Sequence, residues 1–254
     1  MRCVLLTLAF AFSILIPFAA QAADPVIYYS FDDIVGDTIK DLSGFGNDGT
    51  MEDGPEIVDG QFGKGLEFEG NRVKTPVSDS LSANLFQDSF TLLVWINAKR
   101  VGNAWQEIFR AYEAAQSDDT LFINNDGRLS WRGRVAGAWA GGMCETAAGV
   151  VDADTWTHVA VVGDTKNFRV YVNAELIQES AFQETDGINA NYYLGGDPDH
   201  LNESYSGAVD DFAIFTEVLG EADIAAIANK EIGGFAVELE GKLATKWSAL
   251  KSGL

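Results

Sequence analysis

Short runs in which apolar and polar residues alternate recur along this 254-residue chain, and they constrain the fold more than any other feature. Clusters of Gly, Asn and Asp separate the runs, as at Asn125, Asp126 and Gly127. Alternation with a period of two is typical of strands with one buried face. Many such strands joined by polar turns predict an all-β sandwich of two packed antiparallel sheets. The runs lie at 26–31, 66–69, 90–96, 121–123, 129–132, 158–162, 168–172 and 209–215.

One short helix is predicted after the last strand. Residues 221–229 place Ile224 and Ile227 three positions apart among alanines, which are strong helix formers. Glu221 would lie in the first turn, where the helix dipole favours an acid, and Gly220 is a tolerable cap.

The two ends of the chain have their own patterns. Residues 1–22 are typical of a signal peptide, with Arg2 followed by an apolar core and a small-residue cleavage pattern ending at Ala22. We therefore expect a secreted, periplasmic or cell-surface protein with no membrane insertion after signal removal. Residues 24–232 would form the domain. Residues 233–254 carry an intermittent apolar stripe, which predicts an amphipathic tail that docks on the sandwich or contacts another protein.

Charge and cysteine content exclude several classes of protein. The chain has 38 acidic and 17 basic residues and a formal net charge of −21, which removal of Arg2 with the signal would make −22. Such a chain repels nucleic acid and anionic membranes and attracts divalent cations. Only Cys144 would survive signal removal, so an intramolecular disulfide is impossible and the core must hold the fold.

Seven segments in a fixed order resemble the laminin-G-like domains of the concanavalin A-like superfamily, which recur in secreted bacterial proteins. The resemblance spans nearly all of residues 24–230 and says least about residues 98–149, which are longer and richer in tryptophan than a minimal domain needs. The segments are YSFDD at 29–33, DLSGFGNDG at 41–49, FGKGLEFEG at 62–70, FTLLVWI at 90–96, WTHVA at 156–160, VYVN at 170–173 and GAVDDFAIF at 207–215.

The resemblance implies a two-sheet antiparallel jelly roll with a short C-terminal helix and, in this chain, a tail. It also implies one calcium ion in many members and a binding or adhesion role, commonly toward carbohydrate. One departure lies in the turn after Val172, where the family usually has Asn-Gly and this chain has Asn173 and Ala174. Alanine lacks the freedom of glycine at positive φ, so the turn type is open here.

Acids near the two ends of the domain are candidate metal ligands. Asp33 has the parity of the aromatic residues in its strand, and Asp210 has the parity of Phe212, so both carboxylates would point inward at the rim. The neighbouring Asp32 and Asp211 have the opposite parity and would be solvated.

A glycine-containing loop adds Asp41 and Asn47, and its flexible backbone could turn carbonyls toward an ion. Calcium binds six to eight oxygens of these kinds. We predict one calcium ion bound by Asp33, Asp41, Asn47 and Asp210. The alternative is that these side chains only cap turns.

Tryptophans and arginines in residues 98–149 are candidate ligand-binding residues. Trp105 and Trp139 lie in Gly- and Ala-rich sequence that is predicted to form loops, and Arg132 and Arg134 form a basic pair in an acidic domain. Indole rings stack on the apolar faces of sugars, and polar neighbours bond the hydroxyls. The alternative is that these residues pack over a sheet edge. Two other tryptophans lie in apolar strands and are predicted core residues: Trp95 and Trp156.

Candidates for catalysis are few. His158 lies in a structural motif, His200 has no nucleophile beside it in the sequence, and the strand motif Glu-x-Asp-x-x-Glu of glycosidases on this fold is absent from the chain. We therefore predict a non-catalytic binding or adhesion module, stabilised by calcium, that recognises a glycan or a glycosylated surface. The alternatives are a structural scaffold for protein contacts and, more distantly, a glycoside hydrolase or lyase.

Overall fold

The computed structural model describes residues 24–81, 84–99, 105–113, 116–187, 189–196 and 199–230. The predicted signal peptide and C-terminal tail lie outside these residues. No helix in the described ranges is long and apolar enough to cross a membrane.

Strands dominate the described part of the chain, with one 3-10 turn (Leu201–Glu203) and one helix, α1 (Glu221–Ala228). The strands are β1 (Ile27–Tyr29), β2 (Ile34–Val35), β3 (Thr38–Ile39), β4 (Gly49–Glu52), β5 (Glu56–Asp59), β6 (Lys64–Glu69), β7 (Arg72–Thr75), β8 (Phe90–Ala98), β9 (Trp105–Glu113), β10 (Gln116–Asn124), β11 (Leu129–Arg132), β12 (Arg134–Val135), β13 (Ala138–Trp139), β14 (Cys144–Glu145), β15 (Trp156–Gly163), β16 (Asn167–Val172), β17 (Glu175–Ala181), β18 (Asn191–Leu194) and β19 (Ser206–Phe215).

The strands form two large antiparallel sheets and one small hairpin. Sheet I has the order β17-β16-β15-β8-β19-β6-β5, with β1 also paired to β19. Sheet II has the order β14-β11-β10-β9-β18-β7-β4-β3-β2, and β12 and β13 pair only with each other among the described strands. The first and last strands of the domain are therefore neighbours, as the two acid-bearing segments predicted.

Apolar side chains from the facing sides of both sheets make one continuous core. In β8 the core residues are Phe90, Leu92, Val94 and Ile96, which alternate as a period-two strand requires. Trp131 of sheet II is fully buried and packs against Phe90 with ring centroids 5.3 Å apart. This two-layer packing confirms the predicted jelly-roll sandwich.

Helix α1 covers part of the opposite side of sheet I. Ile224 and Leu219 pack with Leu93 of β8 and Phe215 of β19 in a smaller apolar cluster. The predicted helix is thus confirmed, and its burial explains why its two isoleucines are spaced one turn apart.

All eight predicted strands overlap observed strands. Those that the pattern missed are mostly very short, or carry polar residues that hide the alternation, as in the nine-residue β9. The open question about the β16–β17 turn is also resolved. Asn173 and Ala174 have φ of 51° and 65°, so the two-residue hairpin keeps the geometry of an Asn-Gly turn with alanine in the second position.

Candidate ligand-binding site

The side of sheet II that faces away from the core carries large aromatic and charged residues. In β10, the core residues Leu121 and Ile123 flank Phe122, which therefore points outward. In β11 the core residue Trp131 precedes Arg132, and in β9 Trp105 lies opposite Asn124 of β10, on the face of Phe122.

A β-bulge in β9 brings two charged residues of one strand together. Leu121 pairs with Phe109 but Phe122 pairs with Glu107, so Ile108 is an extra residue. Residues three apart in a regular strand point to opposite faces, and the bulge removes this difference. Arg110 consequently forms an ion pair with Glu107 on the outer face, and both side chains are buried. The buried charges are compensated by each other, which limits the cost of their desolvation.

These outward side chains form the floor of a pocket that encloses about 250 Å³. The hairpin β12–β13 contributes Trp139 and is followed by Ala140, which also lines the pocket. The segment around the 3-10 turn contributes His200 and Glu203. The complete lining is Trp105, Arg110, Phe122, Arg132, Trp139, Ala140, His200 and Glu203.

Arg132 is fixed against Trp105. Its guanidinium carbon lies 3.9 Å from the centroid of the Trp105 ring. Its Nε donates to Ser130 Oγ at 3.0 Å and its Nη2 donates to Glu145 at 3.2 Å. Burial acts to raise the pKa of Glu145, but hydrogen bonds from Arg128 and Arg132 outweigh it and lower the pKa, so this anchor is ionised. Arg132 is therefore held in one orientation before any ligand arrives.

Trp139 is the most exposed ring of the pocket, with 45% of the residue accessible. Its hairpin turns through Ala136 and Gly137, both at positive φ. The Asp186 carboxylate accepts hydrogen bonds from both turn amides, at 2.7 and 2.8 Å. The Arg110 guanidinium carbon lies 5.5 Å from the Trp139 ring centroid. The indole is thus held on a clamped hairpin over a buried cation.

Four residues were predicted to bind the ligand. Trp105, Trp139 and Arg132 line this pocket, and Arg134 does not. Arg134 pairs with Trp139 across the hairpin and donates to the Gly137 carbonyl. Its role in the described geometry is to brace the turn.

Arg110, Glu203 and His200 were missed as site residues. Glu203 Oε2 lies 3.9 Å from Arg110 Nη1, and the His200 ring packs edge-on against Tyr112. One feature of the sequence could have indicated Arg110, which lies inside the apolar run 108–112. A buried charge there is costly unless it is paired.

Two predictions about tryptophans were wrong. Trp95 and Trp156 are only partly buried, because they lie on the face of sheet I that is turned away from the core. Trp95 packs there against Phe62 and the buried His158. Trp105 belongs to strand β9 and Trp139 to β13, not to loops.

Asp41 is a hydrogen-bonded loop anchor in this structure. Its Oδ1 accepts from the amides of Tyr28 and Ser43, and its Oδ2 accepts from the Ser43 hydroxyl and the Asn47 amide. A carboxylate has about four acceptor sites, so all of them are filled by the protein.

Asn47 is equally engaged. Its Oδ1 accepts from the hydroxyls of Ser78 and Ser80, and its Nδ2 donates to the Val26 carbonyl at 2.7 Å. The Asp41–Asn47 loop therefore stabilises the start of the domain by hydrogen bonds, which is the turn-capping alternative.

Asp210 points to the outer side of sheet I and not into the core. It pairs with Trp95, and the register then shifts before Ala213 because Asp211, at φ 46°, forms a bulge. The parity argument fails at this bulge. The Asp210 carboxylate is nevertheless fully buried, accepting from Phe62 N at 2.8 Å and from Asp211 N at 2.8 Å. Burial and the adjacent Asp211 raise its pKa to about 7.

The neighbouring acids also differ from their predictions. Asp33 is exposed, because β1 ends at Tyr29 and Phe31 has a φ of 57° that breaks the strand parity. Asp211 is partly buried and paired, where solvation was predicted, and its Oδ1 accepts from Tyr28 Oη at 2.9 Å and from Lys230 Nζ at 2.8 Å.

The four residues predicted to bind calcium thus do not fit one ion. Asp33 is exposed, Asp41 and Asn47 are saturated by protein donors, and Asp210 accepts from two backbone amides. Within the described ranges, no group of three or more His, Cys, Asp or Glu side chains is arranged to hold a metal. Calcium binding by this chain stays a prediction without support from this set.

Fold and pocket together define a jelly-roll domain with a ligand-sized depression on the outer face of one sheet. The chain belongs to the laminin G branch of the concanavalin A-like lectin/glucanases superfamily, whose family profile matches residues 69–225.

Relatives are distant. Over 218 residues the chain is 24% identical to Paraclostridial mosquitocidal protein 1 from Paraclostridium bifermentans, covering 77% of this chain and 17% of that protein. The chain thus spans about a sixth of this relative. The crystal structure of the binding domain of the mosquitocidal protein superposes with a TM-score of 0.65 at 20% identity, over 83% of this chain and 53% of the domain.

Two further solved structures are similar. Domain 4 of AbnA, an extracellular arabinanase from Geobacillus stearothermophilus, was solved with arabinotriose and gives a TM-score of 0.60 at 18% identity, over 82% of this chain and 100% of that chain. The binding domain of botulinum neurotoxin DC, in complex with rat synaptotagmin II, gives 0.63 at 18% identity over 82% of this chain and 52% of that chain. These likenesses establish the fold.

Proposed function

We propose that this chain is a secreted, non-catalytic binding module that recognises carbohydrate in the pocket of sheet II. The observation that carries the proposal is the exposed Trp139 ring held beside a carboxylate, Glu203, and two oriented arginines. An indole offers the apolar face on which a sugar ring stacks, while carboxylate and guanidinium groups bond hydroxyls. Preformed pockets with a few fixed polar groups are typical ligand sites.

Charges around the pocket favour an uncharged ligand. Arg110 is paired with Glu107, and Arg132 with Glu145, so neither guanidinium is an uncompensated positive charge. Glu203 adds a carboxylate, and the chain as a whole carries a net charge of −21. An anionic ligand would meet repulsion from both sources.

The arrangement of titratable groups supports binding without catalysis. Glycosidases use two carboxylates across the scissile bond. Of the described residues that line the pocket, Glu203 is the one carboxylate. Cys144 is buried, and burial raises its pKa to about 11. Burial also lowers the pKa of His158 to about 4. Neither group is in a reactive state near neutral pH.

Two of the similar proteins support a binding role. One is the binding domain of a mosquitocidal protein, and another is an arabinanase domain solved with an oligosaccharide. The alternative, a scaffold that contacts another protein, makes no use of the pocket.

A glycan array followed by calorimetry tests the proposal. We expect binding of neutral oligosaccharides by the wild-type protein, and a loss of at least tenfold in affinity in Trp139→Ala. Trp156→Ala is the matched control, because Trp156 is partly exposed on the other sheet and should leave affinity unchanged. Equal affinity of the Trp139→Ala and wild-type proteins, or no binding to any glycan, would overturn the proposal.

A further inference from the structure

We infer that the pocket takes a single uncharged sugar residue at the end of a glycan chain, and that it does not accommodate the interior of a chain. This inference rests on the proposed function and specifies its ligand.

The pocket offers one aromatic ring on which a sugar can stack. Trp105 and Phe122 pack edge to face with centroids 6.0 Å apart, and the Arg132 guanidinium lies over both rings. The guanidinium covers one face of Trp105, and Phe122 is buried, so neither ring is as accessible to a sugar as Trp139. Of the described pocket residues, Trp139 is left as the exposed indole. A cleft that binds several consecutive sugars needs several rings, whereas one ring serves one sugar.

The two rims of the pocket are close together. The β12–β13 hairpin supplies Trp139, and the 3-10 turn supplies Glu203. The same guanidinium, that of Arg110, lies 5.5 Å from the Trp139 centroid and 3.9 Å from Glu203 Oε2. The gap between the rims is therefore short. A ring stacked on Trp139 would present its hydroxyls to Glu203.

The volume of the pocket also limits the size of its ligand. The pocket encloses about 250 Å³, below the roughly 300–1,000 Å³ that is usual for larger ligands. The pocket is therefore small for a ligand of several sugar residues. A polysaccharide interior would have to pass both the hairpin and the 3-10 turn.

These residues also have separable roles. Trp139 supplies contact area for the sugar face, and Glu203 supplies hydrogen-bond acceptors for hydroxyls. The Glu203 side chain is 35% exposed, so it is reachable from the pocket. Asp186 is a positioning residue, since it holds the turn that carries Trp139 and does not line the pocket itself.

Calorimetry with three linear series tests the inference: arabino-, cello- and malto-oligosaccharides of one to five residues. In a series that binds, we expect affinity to change less than threefold from the disaccharide to the pentasaccharide. Trp139→Ala and Glu203→Ala should each lower the affinity for the disaccharide at least tenfold, with Trp156→Ala unchanged. A version of the bound disaccharide with a terminal uronic acid should bind more weakly.

The results distinguish a failure of end recognition from a failure of carbohydrate binding. Affinity that climbs tenfold or more along a series, and still depends on Trp139, would leave the proposed function standing and overturn the end-recognition inference. Tighter binding of the uronic acid would overturn the assignment of an uncharged ligand. Failure of every series to bind, together with a blank glycan array, would overturn both.

Discussion

Arg110 and Glu107 form a buried ion pair on one face of β9, although they are three residues apart in the same strand. The bulge at Ile108 makes this ion pair possible. It also places Arg110, a charged residue in an apolar run, at the floor of the pocket. The pair holds the base of the site, with Trp139 and Glu203 on either rim.

Breaking this ion pair from one side should destabilise the domain. Glu107→Leu leaves the Arg110 cation buried without its carboxylate partner on β9, which costs about 3–5 kcal/mol. Chemical denaturation of both single variants and the double variant Glu107→Leu/Arg110→Leu measures this. We expect the double variant to be more stable than the sum of the single losses predicts. Strict additivity would show that the two side chains do not depend on each other.

Two tryptophans should respond in opposite ways to truncation. Trp131→Ala removes a fully buried ring and should cost about 3–5 kcal/mol of unfolding free energy, because it leaves a large cavity. Trp139→Ala should change the melting temperature little, since its ring is exposed and packs on one side only. Thermal melts of the two variants at equal concentration provide the comparison. A large destabilisation by Trp139→Ala would mean that the hairpin is part of the folding core.

Calcium should not stabilise the folded protein by binding to the Asp41 loop. An ion bound only to the folded state at a hundredfold excess over Kd would add about 2.7 kcal/mol of stability. The acceptor sites of Asp41 are filled by four protein donors, so we expect equal melting temperatures in calcium and in chelator. Calorimetric melts of metal-free protein decide the matter. A rise with calcium that disappears in Asp41→Asn would restore the predicted site.

Replacement of Ala174 by glycine should stabilise the β16–β17 hairpin. Ala174 has a φ of 65°, a conformation that costs a residue with a Cβ roughly 1–2 kcal/mol and costs glycine little. Ala174→Gly should therefore raise the unfolding free energy by about 0.5–1 kcal/mol after the extra chain entropy of glycine is subtracted. The control variant Ala181→Gly, at the opposite end of β17, should not increase the unfolding free energy. Urea unfolding of both variants tests the turn geometry, and a loss of stability in Ala174→Gly would contradict it.

Stability should depend on pH through Asp210. Burial and the nearby Asp211 raise its folded-state pKa from 3.8 to about 7, although Phe62 N, Asp211 N and Lys230 act in the other direction. A raised pKa means that the folded state binds the proton more tightly. The stabilisation is present below about pH 4 and is lost as pH rises through 7.

Comparison of the wild-type protein with Asp210→Asn isolates this effect from other carboxylates. When the pH is raised from 4 to 7, the unfolding free energy of the wild type should fall relative to that of Asp210→Asn by on the order of 4 kcal/mol. A difference that is constant with pH would show that folding does not raise the pKa of Asp210.

Sequence patterns determined the fold class, eight of the strands and the helix. They also singled out Trp105, Trp139 and Arg132, which the fold places in one pocket, although ligand binding by these residues stays a prediction. They succeeded because alternation and turn residues record which face of each strand is buried, and this information is local. Trp131 in the core and Arg132 outside it follow from such alternation within β11.

Tertiary structure alone decided where charges meet. The bulges at Ile108 and Asp211 reverse the parity of every residue beyond them, so Arg110 joins Glu107 and Asp210 leaves the face of Phe212. Whether Asp41 binds an ion or four protein donors likewise depends on which amides and hydroxyls the fold brings within 3 Å. Strand register and loop closure are set by pairing with distant segments, and one strand's own pattern does not contain them.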